Sequence, residues 1–190
     1  MSHKRNGEYK TPKDEWCTPQ WLFDLLDKEF QFDVDAAATE ENAKCFFRFD
    51  DALDRPWYED GELENELNAI GQRAAKTFFL NPPYSAGNID RFMAKALEES
   101  QKGAVVVCLV TCATDTRWWH NYAMKAQEIR FIKGRVRFVG YDEQGNQIKN
   151  SPTFSSCVVI FRSRLGLQER QDPKWTPWIG PTIEQPRRTA

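Results

Sequence analysis

Asn81-Pro82-Pro83-Tyr84 is the stretch of this chain whose residue types and spacing do the most chemistry. It follows the apolar run Thr77-Phe78-Phe79-Leu80 directly, and two prolines stop a strand there. A plain Pro-Pro turn with Tyr84 as a half-buried aromatic would account for it structurally. The chemical reading is sharper. An exocyclic amine such as that of adenine is a poor nucleophile, because its lone pair is delocalised into the ring. Two acceptors on its N–H groups favour the pyramidal form that attacks an electrophile. The side-chain oxygen of Asn81 supplies one acceptor, and the Pro82 carbonyl, held rigid by Pro83, supplies the second. Tyr84 offers a π-face on which a planar base stacks. No strong general base is needed, since the amine proton becomes acidic once the nitrogen is alkylated. The contribution is positioning plus electrostatics.

Such a turn needs elements that hold it. Thr18-Pro19 precedes Trp21, Leu22, Phe23, Leu25, Leu26 and Phe30, and helical spacing predicts a helix over about Pro19 to Glu29 with Thr18 as its cap. Phe32-Asp33-Val34-Asp35 predicts a short strand that ends in the small residues Ala36-Ala37-Ala38-Thr39. Residues 40 to 60 read as irregular, and 61 to 75 as an exposed helix or an inserted loop. Thr77 to Leu80 is a strand. Asn88 is expected to cap a helix with Ile89, Phe92, Met93, Ala96 and Leu97 on one face, ended by Gly103. Ala104 to Val110 is apolar throughout, as in a parallel strand buried on both faces. Asp115 to Lys125 reads as a helix and Glu128 to Ile132 as a strand. Arg135 to Val139 and Cys157 to Arg162 read as an antiparallel pair joined by the polar loop Tyr141 to Pro152. The fold class is α/β: a three-layer, Rossmann-like sheet, mostly parallel, with an antiparallel C-terminal hairpin. Ligands bind such sheets at the carboxyl ends of the strands, which is where Asp35-Ala36-Ala37 and Asn81 to Tyr84 would fall.

Composition narrows the classes. The chain has 190 residues, 41% of them hydrophobic and 13% aromatic, which excludes wholesale disorder. A mean hydropathy of −0.67 implies polar loops and tails around the core. The expected organisation is a polar leader over residues 1–15, one catalytic domain over 16–163, and a proline-containing, irregular tail over 164–190. The longest apolar run, Ala104 to Val110, is too short for a membrane span, and the first residues lack the apolar stretch of a signal peptide, so a cytoplasmic location is expected. Five cysteines without a Cys-x-x-Cys pair, and only His3 and His120 as histidines, give neither a disulfide framework nor a metal site. Cys108 and Cys112 are better read as small core residues.

The net charge of −2 hides segregation. Asp50 to Glu66 carries eight acids and one base, whereas Thr114 to Arg137 carries six bases and two acids. Two solvated faces would produce this pattern. So would a basic face for a polyanion, set apart from the acidic region.

Six segments, taken together, resemble the phage DNA N-6-adenine-methyltransferase family. They are Asp14 to Phe23, Phe32 to Thr39, Asp51-Ala52-Leu53 with Trp57, Phe79 to Ser85, Thr114 to Trp119 and Lys133 to Phe138, in order over most of the chain. The resemblance implies a site-specific enzyme that transfers a methyl group from S-adenosylmethionine to N6 of a flipped-out adenine in double-stranded DNA. It implies Asn81, Pro82, Pro83 and Tyr84 as catalytic residues. Thr18-Pro19 is similar to the family's N-terminal cofactor motif, Asp35 with Ala36 and Ala37 to the end of the first cofactor strand, and Asp51 to the acid beside the cofactor's adenine amine. Both carboxylates suit a cofactor bearing a sulfonium and an ammonium. The usual Gly-rich turn is replaced by Ala36-Ala37-Ala38-Thr39, and the ribose-binding acid stays open among Glu40, Glu41, Asp50 and Asp54.

A duplex adenine is unreachable without flipping. Candidate DNA contacts are Arg117, Trp118, Trp119, Lys133, Arg135 and Arg137, with the loop Tyr141 to Pro152 and the leader bases Lys4, Arg5, Lys10 and Lys13. Lys133, Arg135 and Arg137 alternate, so on a strand they share a face. Trp118 and Trp119 could be core, stacking or wedge residues, with one expected inside and one nearer the DNA; His120 reads as a surface residue. The absence of a nuclease signature favours a solitary methyltransferase. Cytosine N4-methylation, protein glutamine methylation and a non-catalytic DNA-binding module remain as alternatives.

Overall fold

A computed structural model describes residues 16–71, 75–84, 87–141, 147–149, 154–162, 178–179 and 181–184. The leader, Ser85 and most of the loop after Tyr141 lie outside the described residues. Helix α1 covers Gln20–Phe30 and is followed by strands β1 (Val34–Asp35) and β2 (Phe47–Arg48). Then come α2 (Gly61–Ala69), β3 (Thr77–Leu80), α3 (Asn88–Lys102), β4 (Val105–Thr111) and α4 (Arg117–Asn121). A single 3-10 turn at Ala123–Lys125 leads to β5 (Glu128–Phe131), β6 (Val139–Tyr141), β7 (Gln147–Lys149), β8 (Ser156–Phe161) and β9 (Trp178–Ile179).

Seven of these strands form one sheet in the order β2-β1-β3-β4-β8-β5-β9. The β2-β1-β3-β4 half is wholly parallel, and β8 runs antiparallel between β4 and β5. Strand residues alternate between two apolar layers. Phe79, Val107, Leu109, Val158 and Ile160 face α1, which brings Leu22, Phe23, Leu26 and Phe30 to them at helical spacing. Phe78, Leu80, Val106, Cys108 and Phe161 face the other way, onto Leu63 and Leu67 of α2, Met93 and Ala96 of α3, and Trp118 of α4. The three-layer α/β expectation therefore holds.

Several local expectations are corrected. Residues 40 to 60 contain the strand β2, too short to show a period. Thr18 does not cap α1: Pro19 is the N-cap, and its carbonyl accepts from the N–H groups of Leu22 and Phe23. At α3 the cap is Gly87, whose φ of 85° suits glycine, and Asn88 is the first helical residue. The expected long helix over Asp115 to Lys125 is a five-residue helix and a 3-10 turn.

The expected pair of Arg135 to Val139 with Cys157 to Arg162 does not form. Cys157's strand is instead taken by β4 and β5, where its apolar residues are buried on both faces, and Val139–Tyr141 pairs with Gln147–Lys149. The tail is not irregular throughout either. β9 joins β5 in parallel, and Ile183 bridges Ile132 and is buried.

Candidate active site

Parallel strands put their carboxyl ends on one edge, and the register shows how closely the candidate residues meet there. Asp35 pairs with Phe79 across β1 and β3, and the Ala36 N–H donates to the Phe79 carbonyl at 2.8 Å. Asn81 is two residues past Phe79, so it lies beside Ala36 and Ala37. On its far side, Asn81 Nδ2 donates to the main-chain carbonyl of Trp16 at 3.1 Å. This bond fixes which end of the amide is oxygen. It also ties the segment leading to Thr18-Pro19 to the tetrapeptide.

Tyr84 approaches the same amide. Its hydroxyl lies 3.1 Å from the Leu109 carbonyl and 3.3 Å from Asn81 Oδ1, and its one proton can serve only one of them at a time. Burial pushes the phenol well above its ordinary range, so it remains a donor at all working pH values. The ring lies 5.4 Å from Phe154 and 6.5 Å from Phe138, between centroids. The expected π-face is thus crowded by two aromatic rings. Tyr84→Phe keeps the ring and removes the hydroxyl that competes for Asn81 Oδ1. We expect it to keep turnover within about tenfold of the parent, because positioning rather than the hydroxyl carries the chemistry. Denaturant unfolding should show a loss of about 1–2 kcal/mol, since the Leu109 carbonyl loses its donor. Turnover lost as completely as on truncation to alanine would assign the hydroxyl itself an essential role.

Asp35 is 3% exposed. Its carboxylate accepts from the backbone N–H groups of Lys44 at 3.0 Å and Ala37 at 3.5 Å. Burial dominates over these bonds and pushes its pKa up to about 6. The Lys44 ammonium donates to Gln20 Oε1 at 3.0 Å, and its charge partly offsets the effect of burial on Asp35. The loop after Thr39 therefore ties the Asp35 carboxylate to the first turn of α1, next to buried Pro19 and Thr18. A buried carboxylate beside the small residues Ala36 and Ala37 fits a cationic ligand.

Asp51 follows β2 on the same edge and is exposed. Its Oδ1 lies 3.5 Å from Arg55, whose guanidinium also grips Asp60 at 2.6 Å and covers the Phe49 ring at 4.4 Å. Asp60 in turn caps α2, accepting from the N–H groups of Glu62 and Leu63. Trp57 closes the turn by donating to the Ala52 carbonyl at 2.7 Å. Arg55 is thus the link between Asp51 and a helix terminus. Arg55→Ala should cost on the order of 2 kcal/mol in urea unfolding, between the values for surface and buried pairs. Arg55→Lys should restore only part of that stability, because an ammonium cannot fork between two acids. Unchanged stability in Arg55→Ala would show that its pairs with Asp51 and Asp60 contribute nothing to the fold.

The candidate DNA residues divide. Arg117 is exposed, and Lys133, Arg135 and Arg137 are exposed while Val136 and Phe138 between them are buried. The alternation expected of a strand is kept, although this segment is not in a strand. Gly134 turns it, with φ of 80°. Lys133 lies 3.3 Å from Glu184 of the docked tail. Trp118 and Trp119 are 6% and 3% exposed and pack on each other in the core. The expectation of one indole at the surface is corrected, because both flank the α4 turn against the sheet. His120 is exposed, as read. Cys108 and Cys157 are buried and Cys112 half-buried, and no group of side chains among the described residues is arranged to hold a metal ion. Among the described residues no helix is long and apolar enough to cross a membrane.

A model of the family described as DNA N-6-adenine-methyltransferase (Dam) matches residues 6–171. The chain belongs to the DNA N-6-adenine-methyltransferase family. A DNA N-6-adenine-methyltransferase of Haemophilus phage HP1 is 30% identical over 172 residues, covering 86% of this chain and 87% of the relative. One of Escherichia phage T1 is 28% identical over 158 residues, covering 80% of this chain but only 58% of the relative. No solved structure matches the chain. The family favours adenine N6 in DNA over the cytosine, protein-amide and non-catalytic readings. Enzymes that methylate adenine in DNA generally use S-adenosylmethionine.

Sequence reading missed Trp16, Lys44 and Arg55 as parts of this site. Trp16 and Lys44 act through main-chain atoms, which leave no signal in residue type. Arg55 was visible as the lone base in an acidic run, and that isolation was the available clue.

Proposed function

We propose that the chain methylates N6 of a flipped adenine in double-stranded DNA, with S-adenosylmethionine as methyl donor and Asn81 as the residue that activates the amine. The observation that carries this is the Asn81 amide, fixed by the Trp16 carbonyl with Oδ1 turned away from it, at the edge that also holds buried Asp35. When bound, S-adenosylmethionine supplies a methyl group on a positively charged sulfur. Asp35 would hold the ammonium of its methionine part, Thr18 and Pro19 would border that part, and Asp51 would accept from its adenine amine. Ala36 and Ala37 let the backbone approach closely, the role a Gly-rich turn has elsewhere. Oδ1 of Asn81 and the Pro82 carbonyl accept the two N–H groups of the target amine, leaving its lone pair directed outward. The methyl group would pass from the cofactor's sulfur to the amine nitrogen, leaving a neutral thioether, and one amine proton would pass to water. Pro83 keeps the turn rigid, and Tyr84, packed against Phe138 and Phe154, would form with them the aromatic wall on which the base rests. Arg117, Lys133, Arg135 and Arg137 would bear on phosphates, so binding should fall steeply with salt.

The reading is tested by incubating the protein with methyl-labelled S-adenosylmethionine and unmethylated duplex DNA, then identifying the labelled nucleoside in a digest. N6-methyladenine is expected. N4-methylcytosine would keep the amine chemistry and refute the base assignment; no label, with DNA binding retained, would refute turnover.

A further inference from the structure

Trp16 has no part in the amine chemistry as read from side chains, yet its main chain holds the amide on which that chemistry depends. Asn81 Nδ2 donates to its carbonyl at 3.1 Å. One residue on, the Cys17 N–H donates to the Val139 carbonyl at 2.8 Å, and the Val139 N–H donates back to the Cys17 carbonyl at 3.0 Å. Val139 opens β6, and the next residue, Gly140, is buried. A Cβ at Gly140 would lie 2.6 Å from Cζ3 of the Trp16 ring. The β6-β7 hairpin is a sheet of its own, and β6 follows directly on the exposed Lys133, Arg135 and Arg137. The residue whose carbonyl orients Asn81 is therefore clamped, by main chain and by ring, to the element that leaves the basic segment.

We propose that Trp16 is a positioning residue for methyl transfer, its carbonyl keeping Asn81 Oδ1 toward the target amine, and that β6 keeps this carbonyl in register through the Cys17–Val139 pair and the close Gly140–Trp16 contact. A carboxamide has two ends of nearly equal shape. Turned by half a rotation, Asn81 would present N–H groups to an amine that needs acceptors, and the site would be inactive with nothing else displaced. The Trp16 carbonyl accepts only a donor, so it selects the productive orientation. Gly140 gives the ring its seat: a Cβ there would press on the far edge of the indole, and the proposal requires that the ring pass this displacement on to its own main chain. This inference rests on Asn81 as the amine acceptor.

The test compares Gly140→Ala, Trp16→Leu and the double variant, using kcat on unmethylated duplex DNA together with the affinity and stoichiometry of S-adenosylhomocysteine binding. Gly140→Ala should lose on the order of 10- to 100-fold in kcat, the scale of a displacement near 1 Å, while cofactor affinity and the number of competent sites stay unchanged. Trp16→Leu keeps the carbonyl, and in the Gly140→Ala background it should recover most of the lost kcat by vacating the ring's space. Parent-like kcat in Gly140→Ala, or a double variant as slow as Gly140→Ala alone, would overturn the proposal. Should Gly140→Ala not fold, Val139→Pro, which deletes the N–H donated to Cys17, must show the same selective kcat loss, and a parent-like kcat there would overturn it. If Asn81→Ala itself remained active, the failure would lie in the underlying reading rather than in the clamp.

Discussion

Asn81→Ala should lower the single-turnover rate of methyl transfer on the order of 10²- to 10³-fold, the scale seen when one preorganised polar group facing a developing charge is removed. The loss should appear in the chemical step. Cofactor affinity should not change, because Asn81 bonds to Trp16 and Tyr84 and the proposed mechanism gives its amide to the target amine. Stability should fall by about 1 kcal/mol, as the Trp16 carbonyl loses a donor at a half-buried position. Stopped-time methylation assays and calorimetric binding of S-adenosylhomocysteine separate these quantities. Weaker cofactor binding with an unchanged chemical step would move Asn81 from the amine to the cofactor.

Asp35→Asn should have the second large effect, and in the opposite compartment of the site. With its ammonium partner facing a neutral amide, S-adenosylhomocysteine affinity should fall by about 1.5–3 kcal/mol, or roughly 10- to 100-fold. Stability should change little at neutral pH. Keeping this buried carboxylate ionised costs about 3 kcal/mol, given a rise from 3.8 to about 6. Asparagine removes that cost but leaves one of the two backbone N–H groups facing a donor, which offsets it. The pH dependence has a defined sign. The group's stabilising effect is full below 3.8 and is lost as pH rises through about 6, because the folded protein binds this proton more tightly than the unfolded chain. Cofactor affinity runs the other way, weakening as pH falls below about 6, since binding a cation requires the ionised form. A titration of affinity from pH 5 to 8 should show this break in the parent and none in Asp35→Asn. A break of equal size in both would place the titrating group elsewhere.

The central elements were legible because their residues obey strong local rules. The apolar runs ending at Leu80 and Val110 are short and rich in β-branched or aromatic residues, with Pro82-Pro83 after one and Gly103 before the other, which marks them as buried strands, and the α1 and α3 patterns repeat at helical spacing. Asp35 and Asn81 could be placed on one edge because parallel strands share a carboxyl end. β2 was not legible: two residues of strand carry no period, and its existence depends on the neighbouring β1. The fate of Ser156–Phe161 was hidden for a similar reason. An apolar strand does not encode its partner, and β4 and β5 together bury it more fully than a polar-flanked hairpin strand could. Trp118 and Trp119 diverge on an ideal helix, but α4 is five residues long and both rings turn into the core. The basic alternation at Lys133, Arg135 and Arg137 survived without a strand because Val136 and Phe138 still anchor the segment.

The most direct test of the account is the single-turnover methylation rate of the parent and Asn81→Ala on the same unmethylated duplex, with S-adenosylmethionine saturating and S-adenosylhomocysteine affinity measured for both. The account predicts N6-methyladenine from the parent, a rate on the order of 10²- to 10³-fold lower in the variant, and matched affinities. A variant that methylates at the parent's rate would contradict it.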